Sequence, residues 1–147
     1  MPPKARRRKP RVVVDTSVLV AGISGFRVPY ISGRVPSADI LHKWAEKESF
    51  TWLVTEDILD EYKKVLKRLH VRSHLIGRVI NLIRERAEEI KVRPSAGVSP
   101  DPKDDPFCLC AEEGEAELIV TLNPKDFPPG RLKARVVLPI RFPGTHP

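Results

Sequence analysis

Three carboxylates stand where secondary-structure elements begin or end. Asp15 closes the apolar run Val12-Val13-Val14, Glu61 lies within Glu56-Asp57-Ile58-Leu59-Asp60-Glu61, and Asp104 belongs to Asp101-Pro102-Lys103-Asp104-Asp105-Pro106-Phe107. Brought to one place, such groups repel one another unless a hard divalent cation sits among them. A cation held by carboxylates neutralises an anionic phosphodiester, lowers the pKa of a bound water and orients it in line. The residue types therefore point to a metal-dependent phosphodiester hydrolase using Mg²⁺ or Mn²⁺, the ions suited to oxygen ligands.

The acids can meet only if the elements carrying them build one α/β sheet. Arg11 to Asp15 reads as a buried strand and Thr16 to Gly22 as a short helix directly after it. Gly25 to Pro36, with two glycines and two prolines, reads as a loop, followed by a helix to about Glu48 and a strand from Ser49 to Val54. Thr55 is placed to cap the next helix, whose stripe Ile58, Tyr62, Val65, Leu66 and Leu69 is expected to be buried with Glu61 at its border. Ser73 to Ile90 predicts another amphipathic helix, Lys91-Val92-Arg93 a short strand, and Pro94 to Pro102 a loop. Pro106 suits the first turn of a helix that Gly114 ends, with Asp105 as its N-cap and Asp104 in line with the face carrying Phe107 and Ala111. Leu118 to Thr121 is a clear buried strand, and Arg135 to Leu138 the last one. Strands alternating with helices give a mostly parallel sheet covered by helices on both faces. In such a sheet ligands bind outside the carboxyl ends of the strands, where Asp15, Asn123 and Asp126 would share a crevice.

Composition bounds the reading. At 147 residues, 41% hydrophobic and 31% charged, the chain is expected to be one soluble domain, residues 11–147, behind a flexible arm of residues 1–10. No apolar run approaches the ~20 residues of a membrane span, and the N-terminus lacks a signal-peptide core, so a cytoplasmic protein is expected. Cys108 and Cys110 are expected to be free thiols rather than a disulfide or metal pair. The net charge of +7 is concentrated early, in Lys4, Arg6, Arg7, Arg8, Lys9 and Arg11, a block suited to phosphates.

Val13-Val14-Asp15-Thr16-Ser17-Val18-Leu19-Val20, the helix bearing Glu61, Asp104-Asp105-Pro106-Phe107, and Ile119-Val120-Thr121-Leu122-Asn123-Pro124-Lys125-Asp126-Phe127 together resemble a PIN domain. That is the nuclease fold of the VapC-like toxins of many bacterial and archaeal toxin–antitoxin pairs, and the resemblance spans roughly residues 11 to 140. It implies that Asp15, Glu61 and Asp104 are metal-binding acids, with Asp126 as a less constant fourth. Asn123 stands where many members have Asp, which would weaken a second metal site. Thr16 or Ser17, and Thr121, would orient a carboxylate or water through their hydroxyls. The resemblance further implies single-stranded or looped RNA as substrate, cleaved to leave a 3′-hydroxyl, and a cognate antitoxin as partner. Members of the family often form homodimers.

From Lys63 to Arg84 the chain carries seven Lys or Arg and no acid. With Arg6, Arg7, Arg8 and Lys9 of the arm, Lys64, Lys67 and Arg68 are the candidate nucleic-acid contacts, though a solvated polar face explains any one of them. Trp44 and Trp52 read as core; Tyr30 and Phe26, in the Gly/Pro loop, read as substrate or partner contacts. The competing reading is a non-catalytic RNA- or protein-binding module with a weakened metal site, kept open by Asn123.

Overall fold

The computed structural model describes residues 9–27, 29–92, 105–127 and 132–143. Asp104, Arg6, Arg7 and Arg8, and the segment expected to form the Pro94 to Pro102 loop, lie outside the described residues.

Strands β1 (Arg11–Val14), β2 (Thr51–Val54), β3 (Glu88–Glu89), β4 (Leu118–Val120) and β5 (Arg135–Val137) form one sheet in the order β3-β2-β1-β4-β5, every pairing parallel. Successive residues of a strand face opposite sides of a sheet, yet Val12, Val13 and Val14 are all fully buried. Both faces of β1 are therefore covered, which is why the three residues between Arg11 and Asp15 are all apolar. The covering helices are α1 (Thr16–Ala21), α2 (Pro36–Lys47), α3 (Glu56–Arg68), α4 (Ser73–Arg86) and α5 (Pro106–Glu113). Among the described residues no helix is long and apolar enough to cross a membrane.

Strand order reverses at β1. The chain passes from β1 to β2 and β3 on one side, then returns to lay β4 and β5 on the other. A crevice opens at such a switch point, between the carboxyl ends of β1 and β4. Asp15 leaves the end of β1 with its amide donating to the Val120 carbonyl at 3.0 Å, and Thr121 leaves the end of β4 with its amide on the Val137 carbonyl at 3.0 Å.

The aromatic core joins this sheet to its helices. Trp44, Phe50, Trp52, Tyr62, Phe107 and Phe142 form a connected set of ring contacts, with Trp44 edge-on to Trp52 at 4.7 Å between centroids. Trp44 and Trp52 are core, as the sequence indicates. Thr55 caps α3 by accepting the Ile58 amide at 3.1 Å, also as expected.

Several expectations are corrected. Helix α4 stops at Arg86, not Ile90, and the edge strand is Glu88–Glu89 rather than Lys91-Val92-Arg93. Glu88 is drawn into the sheet by a two-point pairing with Arg11, at 3.1 and 2.6 Å, and the Ile90 amide donates to Val54 at 2.7 Å. The segment read as a loop between Gly25 and Pro36 begins inside a 3₁₀ turn, Ile23–Phe26, docked on α2. Leu69 lies beyond the end of α3 and is 51% exposed, so the buried stripe stops at Leu66.

That end of α3 is a Schellman closure. The His70 amide donates to Lys67 and the Val71 amide to Leu66, both at 3.0 Å, with His70 held at φ 60°. A side chain in this left-handed conformation costs about 1–2 kcal/mol, whereas glycine adopts it freely. His70→Gly is therefore expected to stabilise the protein by about 0.5–1 kcal/mol after its extra chain entropy, read as a Tm a few degrees higher.

Candidate active site

Asp15 is the best-held carboxylate at the switch point. Its Oδ2 accepts the Ser17 hydroxyl at 2.6 Å and the Thr121 hydroxyl at 2.7 Å. Each hydroxyl is fixed in turn by a backbone amide, Leu122 donating to Ser17 Oγ at 3.1 Å and Asn123 to Thr121 Oγ1 at 3.0 Å. A hydroxyl has one proton to give, so the amides occupy its lone pairs and leave that proton to Asp15. Both donors converge on one oxygen. Among the described residues Oδ1 has no protein donor and is free for a ligand. Of the two hydroxyls adjoining Asp15, Ser17 is the one engaged; Thr16 Oγ1 is buried without a hydrogen-bond partner among the described residues.

Asp105 reports how closely the other acids gather. It is the N-cap of α5, accepting the Phe107 amide at 2.7 Å, as expected. Its carboxyl is pushed above the usual carboxylate range, first by burial and then by the negative charges of Asp15, Glu61 and Asp126, against the Phe107 amide that favours its ionised form. Carboxylates from the end of β1, from α3 and from the 3₁₀ turn Pro124–Asp126 thus all act on Asp105 at the start of α5. Asp126 is exposed, its amide donating to the Asn123 carbonyl at 3.0 Å; the Asn123 side chain is also exposed.

The oxygen-only donor set fits a hard divalent cation, and the repulsion felt at Asp105 is what such an ion would relieve. Among the described residues no three acidic, His or Cys side chains form a ready-made metal cluster. Burial pushes the Cys110 thiol up to about 12, so it offers neither a thiolate ligand nor a nucleophile, in keeping with the expected free thiols.

The position of Asp105 gives a pH-dependent test. A carboxyl whose pKa is raised on folding binds its proton more tightly in the native state, so stability falls as pH rises through the carboxylate range. Asp105→Asn retains a capping oxygen and removes the charge. It is expected to raise the Tm at pH 7 in EDTA, with the gain shrinking as the pH falls through the raised native value and gone below about 4. Asp105→Ala, which loses the cap, should instead cost about 1 kcal/mol before any relief of charge.

Sequence reasoning passed over Tyr62 as a stripe residue. It is fully buried, its hydroxyl donating to the Val14 carbonyl at 2.5 Å and accepting Trp52 Nε1 at 3.3 Å. It neighbours Glu61 in sequence and holds the carbonyl preceding Asp15, so it ties two acids of the site together. The available signal was chemical: a phenol on a buried stripe needs a polar partner. Tyr30 stacks on His42 at 3.8 Å between centroids and hydrogen-bonds Asp39, and Phe26 packs against the core while lining a cavity of about 370 Å³ between the 3₁₀ turn, α2 and α4. Lys9, Lys64, Lys67 and Arg68 are exposed, whereas Lys63 pairs with Asp60 and Arg84 with Glu56.

A family model for the PIN domain matches residues 11–125. Among solved structures the chain is similar to VapBC2 from Rickettsia felis, determined bound to a DNA fragment from the VapBC2 promoter. That likeness has a TM-score of 0.54 at 14% identity, covers 87% of this chain and 98% of the other, and is one of fold. No curated protein matches the chain.

Proposed function

The chain belongs to the PIN-domain family, and from that membership we propose that it is a divalent-cation-dependent endoribonuclease cutting single-stranded or looped RNA. The observation that carries this reading is Asp15: a carboxylate at the switch point of a parallel sheet, braced by two hydroxyls on one oxygen and open on the other, amid further acids. Glu61 and Asp126 complete the ligand set, with Asp104 beside the capping Asp105. An Mg²⁺ or Mn²⁺ bound there would supply charge neutralisation at the phosphodiester and activation of the attacking water. Ser17 and Thr121 fix the direction of the open Asp15 oxygen, so the site need not reorganise as charge develops. Asn123, neutral where many relatives have Asp, leaves the fourth side of the site to Asp126.

The fold likeness to VapBC2 and the resemblance to VapC-like toxins support an antitoxin as partner in a cytoplasmic protein, and family precedent supports a homodimer. An arginine from such a partner, placed among these carboxylates, would inhibit by replacing the cation.

The test is cleavage of a labelled single-stranded RNA with Mn²⁺ or Mg²⁺. Activity should vanish in EDTA, return when the ion is restored, and give 3′-hydroxyl ends. The second reading, an RNA-binding module without catalysis, draws on Asn123 and would be favoured by equal RNA binding with and without EDTA and no cleavage.

A further inference from the structure

Helix α3 divides its charge sharply. Its first half carries Glu56, Asp57, Asp60 and Glu61, and its second half Lys63, Lys64, Lys67 and Arg68. Acid at a helix start and base at its end is what the macrodipole favours, so α3 alone needs no ligand to explain it. The cations do not stop there. Arg72 is the N-cap residue of α4, His74 follows in its first turn and Arg78 one turn later, with no acid in the first turn. At that end of a helix the dipole disfavours positive charge. Among the described residues none of Lys64, Lys67, Arg68, Arg72 and Arg78 makes an ion pair, and all five are exposed. Five exposed cations without acidic partners, two of them at the end of α4 where its dipole gives no support, offer a surface for an anion from outside the chain.

Their placement says which anion. Residues three and four apart on a helix are surface neighbours, so Glu61, Lys64 and Arg68 form a continuous row along α3. At 1.5 Å per residue the row starts ~5 Å from Glu61 and reaches Arg68 at ~10 Å. Across the α3–α4 turn, Arg72, His74 and Leu75 line a cleft of about 340 Å³ whose other wall is Arg27. Arg27 follows the 3₁₀ turn Ile23–Phe26, which rides on α2 so closely that a Cβ on Gly25 would lie 2.4 Å from the Ala38 carbonyl oxygen. Among the described residues no acid lines the cleft, and Leu75 is its apolar wall residue. Apolar side chains adjoin the track, Leu69 in the α3–α4 turn and Leu75, Val79 and Leu82 in the neighbouring cavity, but the row itself is cationic, and a phosphate backbone needs only spaced cations.

We propose that the second half of α3, the start of α4 and Arg27 form a phosphate-binding track for single-stranded RNA, leading from the acidic edge at Glu61 to the cleft between Arg27, Arg72 and His74. The track rests on the reading of the acidic edge as the cutting site. Its contacts are to phosphates, so it confers grip and register on the strand without reading sequence.

The experiment measures binding of a fluorescein-labelled 20-nucleotide single-stranded RNA by anisotropy, in EDTA, between 50 and 300 mM KCl. Lys64→Gln/Arg68→Gln/Arg72→Gln is compared with wild type and with Arg34→Gln/Lys47→Gln/Arg141→Gln, an exposed triple of equal charge change elsewhere. The first triple is expected to weaken binding at least about tenfold and to flatten the log–log salt slope by about 2, at ~0.7 per lost phosphate contact. The control triple should leave the slope near that of wild type. Equal effects of the two triples, an unchanged slope, or no RNA binding by wild type overturns the track. So does competition by polyglutamate with RNA binding insensitive to the first triple, which would assign the surface to an acidic protein. Failure of the nuclease reading shows separately, as absence of ion-dependent cleavage with these slopes intact.

Discussion

Asp15→Asn is expected to lower ion-dependent RNA cleavage by on the order of 10²–10³ while leaving the fold intact. Asparagine has the shape of aspartate and one oxygen, which can still accept both the Ser17 and Thr121 hydroxyls. The amide nitrogen must then take the place of the open Oδ1, presenting N–H groups where a lone pair is required. The bracing survives and the ligand is lost. A further consequence separates this from damage to the fold. Asp15 is one of the charges that push the Asp105 carboxyl up, so its neutralisation removes repulsion. The Tm of the variant in EDTA should equal or exceed that of wild type, and the Tm increase produced by Mn²⁺ should shrink. Single-turnover cleavage and thermal unfolding with and without Mn²⁺ measure both. Undiminished cleavage by this variant would remove Asp15 from the chemistry.

The central architecture was legible because it is written in short apolar runs. Val12-Val13-Val14 and Leu118-Ile119-Val120 can only be strands buried on both faces, and each ends in the residue that faces the crevice, Asp15 or Thr121. The Pro106 helix with its Asp105 cap was equally local information. What escaped depends on distant partners. Glu88–Glu89 is a strand only because Arg11 and β2 draw it in, and two exposed glutamates carry no strand signal of their own. Ile90 fits a helical stripe in sequence but is packed from an extended backbone, with its amide on Val54. The choice between Thr16 and Ser17 turned on which hydroxyl points back toward Thr121, a matter of the turn after β1. The repulsion at Asp105 was foreseeable in kind, since acids at one sheet edge must interact; which of the two adjacent aspartates caps the helix followed from Pro106 at its first position.

Tyr62→Phe is expected to destabilise the protein by about 2–4 kcal/mol and to lower cleavage beyond what the stability loss explains. The substitution removes one oxygen and strands two buried groups, the Val14 carbonyl and Trp52 Nε1–H, each costing about 1–3 kcal/mol without a partner. Phenylalanine preserves the ring packing against Trp52 and Phe107, so the loss is one of hydrogen bonding rather than volume. Because the phenol bridges the carbonyl before Asp15 to the residue after Glu61, its removal loosens the spacing of two acids that must act together. Positions misplaced by a fraction of an ångström weaken cation binding, so the apparent Mn²⁺ requirement should rise along with the loss in rate. Alkaline titration distinguishes this from a general packing defect. Burial pushes the Tyr62 phenol well above its ordinary value near 10, so its contribution to stability is fully present below pH 10 and is lost as pH rises beyond it. Wild type should therefore lose stability above pH 10 more steeply than Tyr62→Phe, the two curves converging as the phenol ionises in the unfolded chain. Parallel curves would show that the Tyr62 hydroxyl does not brace the site.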